Sequence, residues 1–259
     1  DMAFRRGLGI TVDLISPETL AEMEPGLPSV EGGAAFFPKA VFLNDPGAMV
    51  GSLATAVQAK ADYIQAEARQ LTRQFDGVIV EGPGLRLHAR KVILATGARA
   101  RELPGLEADG DLVWTYRHAL QPKRMPKKLL VIGSGAIGIE FASFFNTLGS
   151  DTTVVEVMDR VLPVEDAEIS AFARKQFVKQ GMKIIEKAAV KKLDRKPGVG
   201  VTAHIEIGGK IETQEFDTVI SAVGIVGNVE NLGLEALGVK IDRTHVVTDE
   251  FCRTGVPGL

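Results

Sequence analysis

The 259-residue chain has a single cysteine, Cys252, so it cannot close an intrachain disulfide or form a CxxC or CxxxxC redox pair. Thiol–disulfide exchange needs two sulfurs, and this polypeptide alone does not hold them. The neighbours of Cys252, Phe251 and Arg253-Thr254-Gly255, read as a surface turn carrying an inert thiol. Histidine is also scarce. His88, His118, His204 and His245 are scattered without ligand-like spacing, which argues against a metal site. Neither sign of charge dominates: 30 Lys and Arg face 33 Asp and Glu, for a net charge of −3. That balance carries no polyanion-binding signature and gives no expectation of nucleic acid as a partner. No apolar run approaches the ~20 residues of a membrane helix, and no signal-peptide pattern is present. The expectation is a cytoplasmic protein with no membrane partner. What remains, 45% hydrophobic and 24% charged, is ordinary for a globular chain with room for one large or two modest domains.

The most informative stretch present is LLVIGSGAIGIE, residues 129 to 140. Leu129 to Ile132 read as a buried parallel strand, and Ile139 through Leu148 have the apolar spacing of a helix stopped by Gly149. Between them lies Gly133-Ser134-Gly135-Ala136-Ile137-Gly138, a G-x-G-x-x-G turn. Gly133 permits the tight turn, Gly135 lets the backbone approach a pyrophosphate, and Gly138 lets the helix pack close to the strand. Free N–H groups at the helix start then face the phosphates. Thr152 to Val155 form a second apolar strand with Glu156 at its carboxyl end, about 20 residues past the glycines, as the dinucleotide fingerprint requires. Glu156 can accept from the adenosine ribose hydroxyls and would repel a 2′-phosphate, which points to NAD rather than NADP. Arg160, close by, weakens that preference, because its guanidinium could pair with such a phosphate. The competing reading is a compact structural turn with Glu156 as a surface cap.

Around this unit, Ser16-Pro17 and Asp45-Pro46 read as helix starts, the first helix closed by Pro25 and the second with Met49, Val50, Leu53, Ala54 and Val57 on one face. Gly32 to Pro38 suggest a strand between them, and Ala61 to Leu71 and Gly77 to Val80 suggest strands before a Gly82-Pro83-Gly84 turn. Val92 to Ala95 read as a buried strand ending in the sharp Thr96-Gly97-Ala98 turn, with no helix after it. Beyond Glu156 the pattern predicts a helix from Asp166 to Gln180, a strand from Met182 to Glu186, a hairpin about Gly208-Gly209, and a buried strand within Phe216 to Val223. Val246-Val247 read as a final strand. The expected fold class is α/β. A Rossmann-like NAD-binding domain with a β-meander spans 125–235, parts of an FAD-binding domain lie at 89–124 and 236–259, and an α+β segment occupies 1–88.

Residues 89–259 resemble the middle of dihydrolipoamide dehydrogenase, a flavoprotein disulfide oxidoreductase. The resemblance rests on VILATGARARELPG (92–105), LLVIGSGAIGIEFASFFNTLGS (129–150), VVEVMDRVLP (154–163), FDTVISAVG (216–224) and VVTDEFCRTGVPGL (246–259). It implies that Thr96 and Gly97 lie against FAD. It also implies that the Gly133–Gly138 turn, Glu156, Val157 and Gly224 hold NAD, with Glu140 near the nicotinamide. Glu140 reads equally well as a solvated acid complementing the helix dipole. Many relatives have an arginine after the AVG strand where this chain has Ile225. The opening segment, ISPETLAEMEPGLPSVEGGAAFFPKAVFLNDPGAMVGSLATA (15–56), is instead similar to the substrate domain of FAD-dependent D-amino-acid oxidases and dehydrogenases. The two resemblances meet near Lys91 to Gly97, as in a mosaic of two flavoproteins; the alternative is a divergent insertion whose similarity is accidental.

The dehydrogenase resemblance implies a parent that oxidises dihydrolipoamide with FAD and NAD, forms a homodimer and serves a 2-oxo acid dehydrogenase complex. Against that activity stand the missing CxxxxC pair, the absence of a second G-x-G-x-x-G for FAD, and the absence of the family's carboxyl-terminal histidine. No residue is therefore assigned a catalytic role. The alternatives are a non-catalytic NAD-binding module and an FAD-dependent amino-acid oxidase.

Overall fold

The computed structural model describes residues 2–25, 32–40 and 45–259, which divide into two compact units, Asp1–Gln65 and Ala66–Leu259. Residues 26–31 and 41–44 of the opening resemblance lie outside the described residues.

The first unit runs α1 (Met2–Gly7), β1 (Asp13–Ile15), α2 (Pro17–Met23), β2 (Ala34–Phe36) and α3 (Pro46–Gln58). Both helix starts form as their sequence signals require. Ser16 Oγ accepts from the Thr19 amide at 3.2 Å, and Asp45 Oδ1 accepts from the Ala48 amide at 2.9 Å, each satisfying an orphan donor of the first turn. β1 and β2 pair antiparallel, with Leu14 opposite Ala35. The apolar face of α3 is present but uncovered: Met49, Val50, Leu53 and Val57 are all exposed.

The second unit opens with an antiparallel meander of β3 (Gln70–Gln74), β4 (Gly77–Gly82) and β5 (Leu85–Ala89). Leu71 and Val78 pack with Leu232, Leu234, Val239 and Val256 in a small core of their own. That packing explains why the units divide at residue 65, whereas the sequence alone suggested 88. β6 (Ala98–Ala100) follows, then β7 (Val113–Trp114), α4 (Tyr116–Leu120), β8 (Lys128–Ile132), α5 (Ala136–Thr147), β9 (Asp151–Val155), α6 (Ala167–Lys179) and β10 (Lys183–Ile185). A second meander, β11 (Ala188–Lys196), β12 (Gly200–Ile207) and β13 (Lys210–Phe216), leads into β14 (Thr218–Ser221). β15 (Ile225–Gly227) pairs with β6, and β16 (Ile241–Asp242) with β17 (His245–Val246).

At the centre is a parallel sheet of order β10-β9-β8-β14-β7. Alternation along β8 splits the core into two layers, because successive strand side chains point to opposite faces. Leu129 and Val131 meet Ile139, Ala142 and Phe145 of α5 together with Trp114. Leu130 and Ile132 meet Val190, Leu193, Val201, Ala203 and Ile205 of the second meander. The sheet is thus sandwiched between a helix and a meander, with both faces dry, as a parallel sheet requires.

Three expectations need correction. The strand read over Ala61 to Leu71 is confined to its last two residues: β3 begins at Gln70, and residues 61–69 are irregular. Val92 to Ala95 do not form a strand: Ile93 is 92% exposed, and the segment is tied chiefly through the Val92 amide to Gly258 O at 2.7 Å. Strand structure needs a paired neighbour, and none lies beside these residues among those described. The central parallel sheet also begins before residue 125, because β7 supplies its edge strand.

Candidate nucleotide-binding site

β8 and β9 end side by side, Ile132 opposite Val155, which brings the residues after each strand together at the carboxyl edge of the sheet. Ligands of open α/β sheets bind at that edge. The chain leaves β8 through Gly133, whose φ of +98° is open to glycine and strained for other residues. A Cβ there would meet the Ala222 carbonyl oxygen at 2.5 Å. Gly135 caps α5 with φ −64° and ψ 178°, and nothing lies within 4 Å of where its Cβ would stand. Gly138 is the opposite case. A Cβ on it would drive into the Gly133 carbonyl oxygen and lie 3.3 Å from Ala222 Cβ. One glycine makes the turn, one leaves space in front of the helix, and one closes the helix onto the turn.

The first helical hydrogen bond of α5 runs from the Ile139 amide to Gly135 O at 3.0 Å. The amides of Ala136, Ile137 and Gly138 precede it at the helix N-terminus, where the dipole favours an anion. Ser134 does not face that space. It is fully buried; its amide and hydroxyl both donate to Glu156 Oε2, at 2.8 and 2.6 Å, and its carbonyl accepts from the Leu162 amide at 2.9 Å. Glu156, 5% exposed, also accepts from the Met158 amide on Oε1 at 2.8 Å. The acid expected to reach a ribose is therefore stitched to the glycine turn as well.

Beside Glu156 opens a cavity of about 350 Å³ with walls that include Leu103, Gly133, Val157, Val190 and Val223. Its lining is largely apolar, with the Glu156 carboxylate and the Arg101 guanidinium as its charged members, the chemistry of a site for a flat base attached to a ribose. Val157 is 68% exposed, and Gly224, at φ +109°, lies exposed in the short bend between β14 and β15. Glu140 is exposed on α5. Leu103 and Val190 were not singled out in the sequence; Val190 comes from the second meander, 34 positions after Glu156 in the chain and adjacent to it only through the fold.

Thr96 and Gly97 lie elsewhere. The Thr96 carbonyl accepts from Asn228 Nδ2 at 2.9 Å, and the Gly97 carbonyl from the Asn228 amide at 3.0 Å. Arg99 forks onto Asn228 Oδ1 at 2.8 Å and Glu230 Oε1 at 2.7 Å. The hydrogen bond from Arg99 holds the Glu230 carboxyl far below its ordinary range, at about 2. A separate cavity of about 700 Å³ includes Arg69, Thr96, Asn228 and Glu230 in its walls. Among the described residues, no group of three or more His, Cys, Asp or Glu is arranged to hold a metal ion, and no helix is long and apolar enough to cross a membrane.

Residues 3–259 match the sequence model of the pyridine nucleotide-disulphide oxidoreductases. The chain belongs to that family. Among its relatives, dihydrolipoyl dehydrogenase of Rhizobium etli is 57% identical over 172 residues, 66% of this chain and 36% of the relative. The enzyme of the same name from Zymomonas mobilis is 50% identical over 177 residues, 68% of this chain and 38% of the relative. The chain thus spans little more than a third of the length of these pyridine nucleotide-disulphide oxidoreductases. Among solved structures, LpdA from Mycobacterium tuberculosis superposes with a TM-score of 0.65 at 28% identity, covering 82% of this chain and 49% of that one. T. acidophilum thioredoxin reductase, at 21% identity and a TM-score of 0.62, shares the fold, covering 82% of this chain and 70% of its own. FAD and NAD(H) are the cofactors of the dihydrolipoyl dehydrogenase family. The family match runs back to residue 3, across the segment that resembles D-amino-acid oxidases, and does not favour the oxidase alternative.

Proposed function

We propose that this chain is the nicotinamide-nucleotide-binding portion of a dihydrolipoyl dehydrogenase-like oxidoreductase, with NAD(H) as its ligand. The observation that carries this reading is the division of labour among Gly133, Gly135 and Gly138 at the mouth of α5, with Glu156 at the end of the neighbouring strand. The pyrophosphate sits over Gly135 and takes the amides of Ala136 and Ile137, where the helix dipole favours negative charge. Glu156 accepts from an adenosine ribose hydroxyl, and its buried negative charge repels a 2′-phosphate. Val157, Val190 and Gly224 bound the adenine, and Glu140 lies on the helix that leads toward the nicotinamide end. When bound, the nicotinamide accepts or donates a hydride, and the protein supplies orientation and electrostatics.

In the full-length protein we assign the Thr96-Gly97 turn to the flavin side, dihydrolipoamide as the reductant, and a homodimer within a cytoplasmic 2-oxo acid dehydrogenase complex as the setting. Residues 125–235, together with β7, form the nucleotide domain, and the rest of 89–124 with 236–259 forms parts of the flavin domain. Cys252 is one sulfur where disulfide exchange needs two, so the 259-residue chain binds nucleotide and turns over no dihydrolipoamide.

Fluorescence titration of the chain with NADH and NADPH tests the reading. NADH binds more tightly than NADPH, and Glu156→Ala weakens NADH binding about ten-fold or more while narrowing the preference. A folded sample that binds no NADH, or a Glu156→Ala variant with both affinities unchanged, overturns it.

A further inference from the structure

Glu156 is not free to present both carboxylate oxygens to a ligand. An ionised carboxylate offers about four lone-pair sites. Oε2 spends its two on the Ser134 amide and hydroxyl, and Oε1 spends one on the Met158 amide. One acceptor site is left, on Oε1. The hydroxyl bond, at 2.6 Å, is a short charge-assisted contact between two buried groups, Ser134 at 0% and Glu156 at 5% exposure. The Ser134 carbonyl holds the Leu162 amide as well, so the same residue anchors the far end of the loop that carries Val157 into the cavity wall.

We propose that Ser134 is a positioning residue for nucleotide selectivity: by pinning Oε2 it fixes the Glu156 carboxylate so that Oε1 takes one ribose hydroxyl and leaves no room for a 2′-phosphate. Ser134 touches no nucleotide and acts through Glu156. This inference rests on the NAD-binding reading above and concerns a residue that the glycine pattern treats as a spacer.

Ser134→Ala in the 259-residue chain removes the hydroxyl and keeps the amide. Ser134→Cys keeps nearly the same volume with a poor donor, so it covers the case in which the alanine variant folds badly. Dissociation constants for NADH and NADPH are measured for the parent, both variants, Glu156→Ala and the Ser134→Ala/Glu156→Ala double variant, with circular dichroism as the check on folding. The ratio of NADPH to NADH dissociation constants is expected to fall about ten-fold in Ser134→Ala and in the same direction in Ser134→Cys. In the Glu156→Ala background the serine substitution is expected to leave that ratio where it was, because the residue it acts through is gone. A folded Ser134 variant that changes both affinities by one factor, or that shifts the ratio equally with and without Glu156, overturns the proposal. If the parent binds NADH and only the ratio fails to move, Ser134 is a packing residue and the NAD-binding reading stands. If the parent binds no NADH, that reading falls and the Ser134 proposal falls with it.

Discussion

Gly135 and Gly138 lie three positions apart in one turn, yet alanine at each should do opposite things. A Cβ on Gly138 lies far inside contact distance of the Gly133 carbonyl oxygen, with the Gly133 carbonyl carbon at 3.0 Å and Ala222 Cβ at 3.3 Å. Both neighbours on the turn are backbone and cannot rotate away, so relief requires moving α5 off the sheet by about 1 Å. Such a shift loosens Ile139, Ala142 and Phe145 against the sheet. Overpacking of this kind costs ~1–3 kcal/mol or more, and the ~1 kcal/mol that alanine gains over glycine in helix propensity offsets only part of it. A net loss of about 2 kcal/mol lowers the melting temperature of a chain this size by ~4–8 °C.

Gly135→Ala meets open space at an ordinary φ of −64°. The reduced entropy of the unfolded chain, ~0.4–1 kcal/mol, roughly balances the poorer N-cap, so stability moves by less than ~0.5 kcal/mol. On the proposed NAD-binding reading its methyl group stands in the path of the pyrophosphate, and NADH affinity is expected to fall ten-fold or more, about 1.4 kcal/mol. Urea denaturation and NADH titration of the two variants side by side separate the effects. Equal destabilisation by both substitutions, or a Gly135→Ala variant with undiminished NADH binding, refutes the assignment of roles.

Two further outcomes follow from the packing and the charges. Phe145, 1% exposed against Trp114 and Phe141, is expected to cost about 3–5 kcal/mol on substitution by alanine, read as a lower urea midpoint with an unchanged m-value. Because Arg99 depresses the Glu230 carboxyl to about 2, the stability that pair contributes is present above the ordinary carboxylate value near 4.5 and is lost as pH falls from there toward 2. Arg99→Ala should bring the Glu230 titration, followed by side-chain carbon NMR, back toward 4.5, with only a small effect on neutral-pH stability because the pair is exposed.

The β8–turn–α5–β9 unit was legible because every signal in it is local: a buried run, glycines at fixed offsets, a helical face, a second run and an acid. β7 was not, because two residues carry no periodicity; only its neighbour β14 makes them a strand. β11 hides for a different reason. Its pairing register shifts between Val190 and Lys192, so Val190 and Leu193 are both buried three positions apart and strict alternation fails. Val92 to Ala95 had the composition of a strand without the partner that makes one. At the site, the conformation and packing of the glycines and the position of Glu156 could be read from the chain, whereas the partners of that carboxylate could not. The Ser134–Glu156 bonds span 22 positions and depend on how β8 and β9 align.

The placement of β14 has a consequence for how the protein is made. Gly133 and Gly138 both abut Ala222, and β14 fills the slot between β8 and β7, although it is the last of the five strands to be synthesised. A nascent chain that has completed β8 and α5 still has an open slot in the sheet and an unbuttressed turn until the second meander has emerged and delivered β14. Non-local pairing of this kind sets the pace of folding. The glycine turn after β8, whose pattern is the most local in the sequence, is therefore among the last pieces of the sheet to acquire its shape on the ribosome.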